Sequence, residues 1–124
     1  MTNYANNLLA QQKPRDAADV IQQTLKLEDT PYLHKRLGDA YAMEQRYDDA
    51  LGHYREAQKR NPKYFSAMNE EARVLLQQYQ AGMELDEKRR DGALALLRQS
   101  LELNPQQPKV KAMLEEWDKR MFSK

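Results

Sequence analysis

Two histidines, nineteen carboxylates and twenty basic side chains hold most of the chemical reach of this 124-residue chain. His34 and His53 have no carboxylate or second histidine at the spacing of metal ligands, and each falls at an ordinary packing or surface place on a helical pattern. A metal site is therefore not expected. Gly38, Gly52, Gly82 and Gly92 stand singly, so no glycine-rich phosphate loop is present. The carboxylates fall on exposed helix faces, where charges three or four residues apart serve solvation. No nucleophile, base and orienting group come together, and the chain reads as a non-enzyme with no cofactor.

Basic and acidic residues nearly cancel, leaving a formal charge of +1, which argues against nucleic acid or an anionic lipid surface as partner. The densest basic run, Lys88-Arg89-Arg90, is bracketed by acids between Glu84 and Asp91 and reads as a solvated helix end. No segment approaches the roughly twenty apolar residues that span a bilayer, and no secretory leader pattern opens the chain, so membrane insertion is not expected. Without cysteine there is no disulfide or cysteine metal site. The compartment stays open, with the cytoplasm as default.

The elements that must position these groups are helices. Across His34 to Pro62, Leu37, Gly38, Ala40 and Tyr41 share nearly one helical face, and Ala50, Tyr54 and Ala57 repeat at i, i+4, i+7 in a second block closed by Asn61-Pro62. Glycine inside a helix costs about 1 kcal/mol relative to alanine, so Gly38 should mark close approach by a neighbouring helix backbone. Asp48 and Asp49 suit the first turn of the second helix. Thr30-Pro31 opens the first, with threonine as N-cap and proline where a missing N–H is harmless.

This hairpin resembles the tetratricopeptide repeat, a helix–turn–helix unit of about 34 residues. Leu37, Gly38, Tyr41, Ala50, Tyr54, Ala57 and Pro62 stand at the family's signature places, while His34 replaces its usual Trp. One hairpin cannot bury both of its apolar faces, so copies are expected on either side. Downstream, Met68, Ala72, Leu75 and Leu76 form a first helix, and Ala93, Leu94, Leu97, Ser100 and Leu101 a second before Asn104-Pro105. The interval from Ala72 to Ala93 is 21 residues against 12 from Gly38 to Ala50, an insertion of about nine. Upstream, Tyr4, Ala5, Leu8 and Leu9 read as the tail of a first helix, and Ala17, Ala18, Ile21, Thr24, Leu25 and Leu27 as a second helix.

The expected organisation is one all-α domain, a right-handed solenoid of antiparallel hairpins. It comprises a clipped repeat over 1–30, eroded or cut from a longer protein, a full repeat over 31–64, an enlarged one over 65–105 and a capping helix over 106–122. Val110, Met113, Leu114, Trp117 and Met121 form the cap's apolar stripe, with Trp117 as core, while Glu116, Lys119 and Arg120 face water.

The resemblance implies a superhelix whose concave wall, built from the first helix of each hairpin, holds an extended or helical peptide. Its outward places carry Asn3, Asn6 and Leu9, then Tyr32, Lys35, Arg36, Asp39 and Met43, then Ser66, Asn69, Glu70, Arg73 and Gln77. Asparagines there can pair with a peptide backbone, and Lys35, Arg36 and Arg73 with acidic groups. The carboxylate clamp of family co-chaperones is not reproduced: only Asn6 fits, while Arg36, Ser66 and Glu70 stand where it wants Asn, Lys and Arg.

A second function class is self-association or structural assembly. A shortened first helix should leave Ile21 and Leu25 poorly covered, and the insertion should lengthen both helices of the third hairpin, with Gly82 near the bend. Tyr79, Met83 and Leu85 would then project towards a partner or another copy.

Overall fold

The computed structural model describes residues 2–122, which form seven helices and no strand. These are α1 (Thr2–Ala10), α2 (Pro14–Leu25), α3 (Pro31–Met43), α4 (Tyr47–Arg60), α5 (Phe65–Ala81), α6 (Glu87–Leu103) and α7 (Pro108–Phe122). Successive helices pair into hairpins α1–α2, α3–α4 and α5–α6, and α7 caps the last.

Local sequence sets the ends. Thr30 Oγ1 accepts a hydrogen bond from the Leu33 amide at 3.2 Å, and Pro31 follows as the first residue of α3. α4 and α6 both stop at an asparagine whose backbone the following proline holds extended. Asn61 Oδ1 and Asn104 Oδ1 then each accept the amide two residues on, at 3.1 Å, and turn the chain into the next helix. α2 stops at Leu25, so Leu27 lies outside it and is exposed.

α1, α3 and α5 end in one shared motif. Lys13, Arg46 and Glu84 each donate an amide to the carbonyl five residues back, on Leu8, Tyr41 and Tyr79, at 2.8–2.9 Å. The residues just before them, Gln12, Gln45 and Met83, take left-handed backbone with φ 61°. The insertion is spread through the third hairpin: α5 is 17 residues against 13 for α3, and α6 is 17 against 14 for α4. The turn accounts for the other two.

Small residues let the helices close. Ala17, Ala40, Ala50, Ala57, Ala67, Ala72 and Ala93 are fully enclosed, with Ile21, Leu37, Leu94 and Leu97 filling the layers between helices. Gly38 differs from expectation: a Cβ there would lie 2.6 Å from Cε1 of Tyr54, so the glycine admits an aromatic ring rather than a backbone. Glu71 stands one place before Ala72, where the repeat has leucine, and its buried carboxylate accepts from Arg55 Nε at 2.9 Å and Gln58 Nε2 at 2.6 Å. That contact ties α4 to α5.

Two expectations for the assembly surface are corrected. Ile21 is 1% exposed, because the nine residues of α1 suffice to lay Ala5, Leu8 and Leu9 beside it, and Leu25 is half-buried. Tyr79 is 5% exposed, since α7 brings Trp117 against it with ring centroids 5.8 Å apart. Only Met83 and Leu85 project at the α5–α6 tip, each 81% exposed.

Candidate functional site

The first helices α1, α3 and α5 line one wall, and α7 continues it. A cavity of about 360 Å³ lies between α3 and α5, touching Leu9, Lys35, Asp39, Met43, Arg73 and Gln77. A second of about 390 Å³ lies where α5 meets α7, walled by Leu97, Pro108, Val110 and Met113 and edged by Ser66, Asn69, Gln107 and Lys109. Glu70 and Arg73 border both.

The structure brings most of the expected wall residues together and shows many already engaged. Arg36 donates to Asn6 Oδ1 and Asp39 Oδ2, both at 2.8 Å, and Asn6 Nδ2 donates to the Tyr32 hydroxyl at 2.9 Å. Asp39 also accepts the Tyr54 hydroxyl at 2.7 Å and lies 3.6 Å from Lys35 Nζ. Burial beside this carboxylate pushes the Tyr54 phenol far up, so it stays a donor. Arg36 thus ties α3 to α1 and Asp39 ties it to α4, while Lys35 and Arg36 share the single Asp39 carboxylate. Asn3, Met43 and Gln77 are exposed.

Further along, the pairing thins. Glu70 is half-buried, and its nearest cation is Arg73 at 3.8 Å. Burial holds the Glu70 carboxyl above its ordinary range, with Arg73 pulling the other way. Asn69 Nδ2 donates to Gln107 Oε1 at 2.8 Å, which fixes the amide and leaves Asn69 Oδ1 buried without a partner. Gln107 is itself fixed, with Nε2 within 3.0 Å of the Ser100 carbonyl, Ser100 Oγ and the Asn104 carbonyl. Gln107, Lys109, Val110 and Met113 were missed as wall residues because α7 reads as a cap. The available signal was its place as the first helix of a would-be fourth hairpin.

The histidines meet on the opposite side of α3. His34 Nε2 donates to Asp29 Oδ1 at 2.8 Å, and its Nδ1 lies 3.2 Å from Nδ1 of His53. With centroids 5.4 Å apart and planes 20° apart, the two nitrogens point at one another and share a single hydrogen. Among the described residues no group of three metal-ligating side chains comes together. Spacing in sequence hid this pair, because its members lie on different helices.

These features define a class, a solenoid of helical hairpins with a grooved inner wall. The chain matches the tetratricopeptide repeat family over residues 4–65 and again over 37–108, and it belongs to that family. Its fold is similar to the type III secretion translocator chaperone SycD of Yersinia enterocolitica, at 24% identity and TM-score 0.80 over 96% of this chain and 81% of that one. It is also similar to MamA, at 17% identity and TM-score 0.73 over 89% of this chain, and spans 60% of that protein's length. A MamA fragment from Desulfovibrio magneticus RS-1 aligns at 16% identity and TM-score 0.60, over 97% of this chain and 82% of that one. At these identities the likeness concerns the fold. None of the curated proteins compared with the chain matches it.

Proposed function

We propose that this protein is a non-catalytic interaction scaffold that holds a peptide or partner segment along the wall of α1, α3, α5 and α7. The observation that carries this reading is the pair of adjoining cavities, about 360 and 390 Å³, joined by Glu70 and Arg73. Their combined apolar floor and polar rim suit side chains of a bound segment, which fixed polar groups would orient. Protein partners agree with the family and with the similarity to SycD, a translocator chaperone. Peptides selected on the immobilised protein from a random library provide the test. Their affinity should fall about tenfold or more, roughly 1.4 kcal/mol, in a Met43→Ser, Met113→Ser double variant, which takes an apolar lining side chain from each cavity. Loss only with changes at Met83 and Leu85 would move the binding surface to the tip.

Met83 and Leu85 favour self-association or structural assembly as a second reading. Two large apolar side chains exposed together on a projecting turn are suited to a protein contact.

A further inference from the structure

Two acceptors on residues that line the cavity between α5 and α7 receive no hydrogen bond. Asn69 Oδ1 is buried and unpartnered while its amide nitrogen is committed to Gln107. A buried carbonyl without a donor is uncommon enough to need a reason. One residue further on, the Glu70 carboxylate has a single cationic contact, at 3.8 Å, beyond hydrogen-bond reach. That contact is to Arg73, whose side chain is 58% exposed against 26% for Glu70. Arg73 follows Asn69 by four residues and Glu70 by three, so it lies on the same face of α5 as both. The remaining walls, Leu97, Pro108, Val110 and Met113, offer apolar surface.

Two acceptors over apolar walls match a side chain with an aliphatic stem and a cationic, many-donor head. We propose that this cavity is the subsite for an arginine or lysine side chain of the bound segment. The head donates to Glu70 and Asn69 Oδ1, and the stem lies along Val110 and Met113. Lys109 and Arg73 at the mouth carry charge of the opposite preference, but both are exposed and therefore screened. The half-buried carboxylate has the stronger claim, because a donor there replaces water it has already lost. Lys35 and Arg36, the other cations of the wall, pair with Asp39, whose carboxylate offsets part of their pull on Glu70.

This inference rests on the groove reading, and the test separates the two. The isotope-labelled full chain is titrated with N-acetyl-argininamide, N-acetyl-lysinamide, N-acetyl-norleucinamide and N-acetyl-glutamate amide. The side-chain amides of Asn69 and Gln107 and the methyls of Val110 and Met113 are followed by NMR. The arginine and lysine probes should saturate these signals at concentrations about tenfold below the norleucine probe, and Glu70→Gln should erase that difference. Preference for the glutamate probe, equal response to norleucine, a difference that survives Glu70→Gln, or silence to every probe each overturns the cationic subsite. Library peptides that bind the wall yet carry no arginine or lysine would sink the subsite and leave the groove standing.

Discussion

Gly38 shows how one missing methyl group organises a hairpin. The Tyr54 ring occupies the space a Cβ would take, is almost fully buried, and is fixed at its far end by Asp39. It therefore cannot swing away cheaply, and Gly38→Val should lower stability by about 1–3 kcal/mol through overpacking. Urea denaturation checks this, and an unchanged midpoint would mean that the ring yields. The histidine pair makes a second residue-scale case. Burial is the largest influence holding His53 below the ordinary imidazole range, and His34 and Arg60 push the same way against Asp49 and Glu56. The folded protein therefore binds this proton less readily than the unfolded chain does. Its contribution is fully present above about pH 6.5, the unfolded value, and is lost as pH falls towards the folded one. Thermal melts between pH 7.5 and 5 should show a decline that His53→Gln reduces. A slope identical in both proteins would remove His53 from the account.

At the scale of helices, the shared ending of α1, α3 and α5 carries a recurring strain. Left-handed backbone is unfavourable for residues with a Cβ, and here Gln12, Gln45 and Met83 adopt it rather than glycine. Gln45→Gly should consequently stabilise the hairpin by about 0.5–1 kcal/mol and raise the melting temperature by a few degrees. Calorimetry reads this directly, and a lower melting temperature would show that the Gln45 side chain does more than its backbone. The enlarged hairpin follows from the same ending: α5 continues one further turn beyond the register of α3 before the motif closes it at Met83. Gly82, expected near the bend, caps α5 but has ordinary negative φ. The residues after it, Met83 and Glu84, carry the left-handed turn.

For the molecule as a whole, coverage of the ends decides which assembly readings survive. Ile21 is enclosed by α1 and Tyr79 by α7, so neither offers a sticky surface in the folded protein. Association through the tip would depend on Met83 and Leu85. A sedimentation series in concentration should show any dimer lost in a Met83→Ser, Leu85→Ser variant, with the fold retained because both side chains are exposed. A dimer that persists in that variant would exclude the tip, and a wild-type monomer throughout would exclude self-association.

The helices, their hairpin pairing and the site of the enlargement were legible in the amino-acid order, because they depend on local periodicity, caps and Asn-Pro stops. Leu37, Gly38, Tyr54 and Ala57 announce a hairpin by spacing alone. Whether a polar side chain is free or engaged is settled between helices, where residues far apart in sequence meet. Tertiary packing thus turned Lys35 and Arg36 inward onto Asp39, joined His34 to His53, and enclosed Tyr79 under Trp117. It also committed the Asn69 amide to Gln107 and left Asn69 Oδ1 buried without a donor, which no one-dimensional pattern records, since satisfaction of a hydrogen bond is a property of two surfaces.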